Sequence, residues 1–192
     1  MPADLLVVGL GNPGREYAGT RHNVGADVVE TLARRHGVAL ARSKRERASV
    51  GEARIAGRRV ALAVPLTYMN ESGLAVAPLA KHLAVEPTAI VVVHDELDLE
   101  PAVLRVKAGG GLAGHNGLRS IVQHLHSDAF LRVRIGVGKP PSKERGADHV
   151  LSRQPKRERE AMAVTVEEAA DAVECIVADG VDVAMNRYNT RG

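Results

Sequence analysis

The sequence predicts an α/β fold: a single domain over residues 1–192 with a mixed central β-sheet flanked by helices. Three observations carry this prediction. Short apolar runs of buried-strand type recur along the chain, segments of helical apolar spacing fill the intervals, and one pair of runs reads as a hairpin. A chain of 192 residues with 45% hydrophobic content can bury one sizeable core. Because aromatics make up only 2%, that core must be built from Val, Leu, Ile and Ala.

Taken in order, Leu5-Leu6-Val7-Val8 is an apolar run ending in glycine, the pattern of a strand covered on both faces. Val28, Val29, Leu32 and Ala33 then recur at helical spacing. Val50 to Ile55 and Arg59 to Val64 flank Ala56-Gly57-Arg58 and predict a hairpin, which makes the sheet mixed. Leu74, Ala77, Leu79, Ala80 and Leu83 mark a second helix, Ile90 to Val93 a second buried strand, and Leu118, Ile121, Val122 and Leu125 a third helix. Val133 to Val137 reads as another strand. Val166, Ala169, Ala170, Val173, Ile176 and Val177 mark a final helix, with acidic residues on its opposite face. The loop from Lys139 to Gly146, carrying Pro140-Pro141, is the expected mobile segment.

Several classes are disfavoured. The first residues lack a secretory pattern and no run reaches the roughly 18 apolar residues of a membrane span, so a soluble, cytoplasmic protein with no membrane partner is expected. The lone Cys175 sits in an apolar helical pattern and reads as a buried thiol. The net charge of +3 is modest but uneven, with Arg42, Lys44, Arg45 and Arg47 in one cluster and Arg132, Arg134, Lys139, Lys143 and Arg145 in another. Charge alone allows either a face for a polyanion or ordinary solvated surfaces. Gly9-Leu10-Gly11-Asn12-Pro13-Gly14 matches a dinucleotide-binding template, but helical spacing does not begin until about Val24, and no strand ending in an acidic residue follows at the ribose distance. No cofactor is expected. His124 and His126 lack further ligands and Asp95, Glu96, Asp98 and Glu100 lack a calcium-loop pattern, so no metal is expected either, and without a serine-nucleophile elbow a serine hydrolase is unsupported.

What remains is polar chemistry in the loops that follow strands. Asn12, His22 and Asn23 follow the first; His94-Asp95-Glu96 ends another; Pro65 to Asn70 and Gly109 to Gly117 supply more. A neutral imidazole takes a proton from water near pH 7, and a carboxylate on its other nitrogen fixes the tautomer. Asparagines donate to an oxyanion or to peptide groups without adding charge. His22 and Asp95 fit such a pair, although spacing alone equally allows ordinary loop residues.

Five blocks resemble the bacterial-type peptidyl-tRNA hydrolase family. They are Val8 to Gly14 running on through Tyr17 to Thr20-Arg21-His22-Asn23-Val24-Gly25; Pro65 to Gly73; His94 to Asp98; Gly109-Gly110-Gly111 through Gly114 to Ser120; and Phe130 through Arg134 to Gly138. The resemblance implies a monomeric α/β enzyme that hydrolyses the ester between a peptide and the 3′-terminal ribose of tRNA. It implies His22 as general base, Asp95 as its orienting partner and Asn12 as selector of N-blocked substrates. Tyr17, Tyr68, Met69, Asn70, His115 and Asn116 would line the peptide and 3′-end groove, and Lys107 and Arg134 would contact tRNA phosphates. Leu112-Ala113, His149 and Gln154 depart from the commoner pattern, which bears on loop packing and on the tRNA side. The rival readings are a non-catalytic RNA-binding relative and a nucleotide-dependent oxidoreductase.

Overall fold

Alternation along each strand decides which side of the sheet each residue serves. In the computed structural model, which describes residues 2–140, 142 and 145–189, the chain runs β1 (Leu5–Gly9), α1 (Val24–Arg35), β2 (Ala41–Ser43), β3 (Ala48–Ile55), β4 (Arg58–Pro65), α2 (Gly73–His82), β5 (Ile90–Glu96), β6 (Leu104–Ala108), α3 (Asn116–Leu125), β7 (Leu131–Gly136), α4 (Gly146–Leu151), α5 (Lys156–Asp179) and α6 (Val181–Tyr188). The strands form one seven-stranded sheet in the order β2-β3-β4-β1-β5-β7-β6. Its centre is parallel, β4 to β1 to β5 to β7, while β2, β3 and β6 join antiparallel at the edges. The sheet is therefore mixed, as expected.

Odd-numbered Leu5, Val7, Val91, Val93, Val133 and Ile135 pack against α1, α5 and α6. Even-numbered Leu6, Val8, Ile90 and Val92 pack against α2 and α3 on the other face. Both cores are aliphatic; the single Phe, Phe130, lies buried in the second.

Some elements differ from the sequence reading. Arg58 belongs to β4, so the hairpin turn is Ala56-Gly57, both at positive φ (51° and 76°), which suits the twist of the flanking strands. The third apolar run is shifted: β7 begins at Leu131 and includes Arg132 and Arg134 on the face away from the first core. Strands β2 and β6 gave no apolar run to find, because β6 buries only Leu104 and Val106 between charged neighbours. On α2 the buried face is Ala75, Val76, Leu79 and Ala80, leaving Leu74 and Ala77 half-buried. The acidic side of α5 is partly closed by α1: Arg35 binds Glu167, Asp171 and Glu174 at 2.6–2.8 Å and His36 binds Glu174 at 2.7 Å. In the loop before α4, Pro141 and Lys143 lie outside the described residues.

After β1 the glycine-rich segment leads into a 3-10 turn, Arg15–Tyr17, and no α-helix starts before Val24. The amide cradle that a dinucleotide phosphate needs is therefore not formed at this motif.

Candidate active site

Two glycines bring the start of α1 onto the sheet. A Cβ on Gly25 would lie 2.1 Å from the Val93 carbonyl oxygen, and one on Gly9 would lie 2.2 Å from the Gly25 carbonyl oxygen. This close approach lets Leu10 N–H donate to Val93 and Ala26 N–H donate to Leu10, both at 3.1 Å. The turn just before α1, Arg21–Asn23, is held from the other side by Arg21, whose guanidinium binds Glu158 at 2.8 Å, the His149 carbonyl and Ser152. His22 is thus fixed over the end of β5.

Asp95 follows Val93 on the α1 face of β5 and meets His22 there. His22 Nδ1 lies 2.9 Å from Asp95 Oδ1 and 2.8 Å from Oδ2, so it carries the hydrogen. Nε2 keeps the lone pair, and the ring lines a cavity of about 230 Å³ shared with Asp95, His115 and Asn116. Burial alone would raise the Asp95 carboxyl; the facing His115 and His22, through charge and hydrogen bonds, outweigh it and hold the group well below the usual carboxylate range.

His115 also binds Asp95, Nε2 to Oδ1 at 2.8 Å, while its Nδ1 accepts the Gly117 and Leu118 amides at the start of α3, at 3.0 and 3.3 Å. It lines the cavity, but its polar atoms are turned inward. The donor atoms of His22, Asp95 and His115 all lie within 4.8 Å of one another, the one group among the described residues close enough to hold a metal ion. Its chemistry does not fit one: both imidazole nitrogens facing the carboxylate carry hydrogens, and the His115 lone pair is spent on amides.

Asn12 is fixed by three bonds. Its Oδ1 accepts Met69 N–H at 2.7 Å, and the Asn23 side chain binds both its N–H (2.8 Å) and its C=O (2.9 Å). Only the Asn12 amide hydrogens remain to offer outward. Gly11 makes room for Asn23, since a Cβ there would come within 2.9 Å of the Asn23 carboxamide. The sequence places Asn23 in the polar first loop but assigns it no role; its grip is on a backbone eleven residues away, which no local pattern signals. Tyr17 and Tyr68 meet edge to face at 6.5 Å, and Tyr68 is 56% exposed. Met69 is buried, whereas Asn70 and Asn116 are exposed. Asn70 is not among the residues lining the cavity at His22.

Lys107 and Arg134 do not join that cavity. They line a smaller cleft of about 100 Å³ with His94, Glu96 and Arg132. Arg134 Nε and Nη2 both lie 3.0 Å from Glu96 Oε1, a partner the sequence did not suggest. Arg132 is buried over the Phe130 ring and binds the carbonyls of Gly110, Gly111 and Asp128. His94 donates from Nδ1 to the Asp95 carbonyl at 2.8 Å, and burial followed by the neighbouring His115 pushes it down to about 3. Of the departures from the family pattern, His149 Nε2 donates to the Val137 carbonyl at 3.0 Å and Gln154 is buried. Ala113 lines the larger cavity at φ 48° and Leu112 packs partly against the second core.

A profile of the peptidyl-tRNA hydrolases matches residues 6–192. Peptidyl-tRNA hydrolases of Mycolicibacterium vanbaalenii and Cutibacterium acnes are 50% and 48% identical, covering 100% and 99% of this chain and all of their own length. The crystal structure of the peptidyl-tRNA hydrolase from Acinetobacter baumannii superposes with a TM-score of 0.93 at 45% identity, over 98% of this chain and 96% of that one. With ordered sequence blocks, a shared sheet and full-length identity in agreement, the chain belongs to the peptidyl-tRNA hydrolase family.

Proposed function

We propose that this protein hydrolyses the ester between a peptidyl group and the 3′-terminal ribose of tRNA, with His22 as general base. The observation that carries the reading is the His22 ring: Nδ1 is bonded to Asp95, which leaves the Nε2 lone pair at a cavity. Water attacks the ester carbonyl as Nε2 takes its proton, and Asp95 stabilises the imidazolium that forms. As the intermediate collapses, the same proton passes to the departing ribose oxygen, yielding tRNA with a free hydroxyl and a peptide carboxylic acid, which ionises to the carboxylate by releasing its proton to solvent. Asn116, exposed beside His22 in the cavity, is suited to donate to the oxyanion. Asn12 presents hydrogens only, so it favours a peptide carbonyl and disfavours a free ammonium. Tyr17, Tyr68, Met69 and Asn70 would form the adjoining groove for the peptide and 3′ end.

Lys107 and Arg134 would meet tRNA phosphates, which confers affinity without sequence readout. We read residues 1–192 as one catalytic domain, a cytoplasmic monomer that works without metal or cofactor; among the described residues no helix is long and apolar enough to cross a membrane. The test is release of N-acetyl-aminoacyl groups from tRNA by purified protein. His22→Ala should lower kcat by about a hundred- to ten-thousand-fold. An inactive wild type would reject the activity, and a fully active variant would reject the base.

A further inference from the structure

The Asp95 carboxylate serves two imidazoles that line one cavity, and only His22 keeps an uncommitted ring nitrogen there. His22 and His115 approach it from different elements, the turn before α1 and the start of α3, with their ring centroids 5.1 Å apart. The two rings are not equivalent. The His22 ring keeps an unshared lone pair on Nε2, whereas His115 spends Nδ1 on the Gly117 and Leu118 amides of a ten-residue helix. Two backbone N–H groups aimed at Nδ1 demand its lone pair, so the hydrogen of His115 must sit on Nε2 and point at Asp95. The helix start therefore sets the tautomer of a ring whose other end feeds the carboxylate.

That arrangement matters because a carboxylate draws on its partner in proportion to the charge left uncompensated. Asp95 is 2% exposed, and Oδ1 accepts from both rings. A second donor dilutes its pull on the His22 hydrogen, just as removal of that donor in a buried site would concentrate it. We propose that His115 is a positioning residue of the reaction: the N-terminus of α3 locks it as a hydrogen donor to Asp95, and this donation limits how strongly Asp95, through Nδ1–H, stabilises the imidazolium formed when His22 Nε2 takes a proton from water. The proposal rests on His22 being the base.

The other charged groups around the pair are accounted for. On β5, His94 meets His115 edge to face at 5.1 Å, and Glu96 is paired with Arg134 of β7. Arg21, in the same turn as His22, is paired with Glu158 of α5. The α4 residues that line the cavity, Gly146, Ala147 and Val150, carry no charge. The only titratable group among the described residues that donates to Asp95 besides His22 is His115.

Two substitutions separate the two ends of the ring. In His115→Asn the side-chain oxygen falls where Nδ1 was and keeps the cap on α3, but nothing reaches Asp95. In His115→Gln the amide nitrogen reaches nearly as far as Nε2 and keeps the donor, but the cap is lost. The readout is the pH profile of kcat/KM on N-acetyl-aminoacyl-tRNA, with thermal unfolding alongside. His115→Asn should keep the cap but melt below wild type, because the buried Asp95 loses a donor, with the acid limb of its profile moved up by about 0.5 to 1 pH unit. His115→Gln should melt lower, with the limb returned toward the wild-type position. A limb that stays in place in His115→Asn, or moves equally in both variants, would reduce His115 to a helix cap and overturn the proposal. Independently of any variant, imidazole ¹⁵N spectra of the wild type should show His115 protonated at Nε2 and not at Nδ1; the opposite tautomer also overturns it. Failure of the base assignment is read separately, as full activity of His22→Ala.

Discussion

Asn12 shows how a neutral side chain becomes directional. With Oδ1 bound to Met69 N–H, rotation of the amide would cost that bond and set like groups against each other, so its hydrogens stay outward. Asn12→Asp should therefore lower kcat/KM on N-blocked substrates by about tenfold or more and narrow the margin over free aminoacyl-tRNA, measured as the ratio of the two rates. Away from the cavity, Asp27 in the first turn of α1 is pushed up to about 6 by burial and then by Glu30, against a smaller effect of Arg34. A carboxyl raised above its ordinary value near 3.8 favours the fold when protonated, and that contribution is lost as pH rises through about 6. Asp27→Asn should consequently be more stable than wild type by about 2 kcal/mol at pH 7.5, and the gain should vanish below about pH 4, as followed by urea denaturation. Of the site, His22, Asp95 and Asn12 stood out in the sequence as polar residues at or after the ends of apolar runs, and the family resemblance, not their spacing, singled them out. The second partner of Asp95, the grip of Asn23 on Asn12 and the pairing of Arg134 with Glu96 were not legible, because each joins elements distant in sequence.

At the level of elements, the decisive contact is backbone against backbone. Gly25 opens α1 where its Cα faces the Val93 carbonyl, so Gly25→Ala must push the helix away from β5 and carry His22 off Asp95. A destabilisation of about 3 kcal/mol and a fall in kcat larger than any change in KM are expected, measured by denaturation and steady-state kinetics. A variant with wild-type stability and activity would show that α1 can shift at little cost. The parallel centre of the sheet was readable from its apolar runs, and the hairpin from its turn residues. Strand β6 and the start of β7 were not, since Lys107, Arg132 and Arg134 interrupt the apolar pattern on a face that is lined by charge. Likewise α6 follows α5 with only Gly180 between them, and its buried residues, Ala184 and Tyr188, are too few to show a period.

Across the whole molecule, the two faces of one sheet divide the work we assign. Asp95 meets His22 on the α1 side, while His94 and Glu96 line the cleft that holds Lys107, Arg132 and Arg134. Because Glu96 offsets the charge of Arg134, Lys107 should carry more of the net attraction for tRNA. Lys107→Ala should therefore flatten the salt dependence of tRNA binding by about 1 in log-log slope, and Arg134→Ala by less. Equal slopes for both variants would show that the Glu96 pairing opens when RNA arrives. The alternation within His94-Asp95-Glu96 has one further consequence, for how the protein tolerates errors. A single-residue insertion in β5 ahead of His94 exchanges the two faces, placing an imidazole opposite His22 and the Asp95 carboxylate where Glu96 meets the cations. Proton transfer would then be lost while a carboxylate still faced the cations, so such an insertion removes the chemistry and leaves the charge of the cleft nearly as it was.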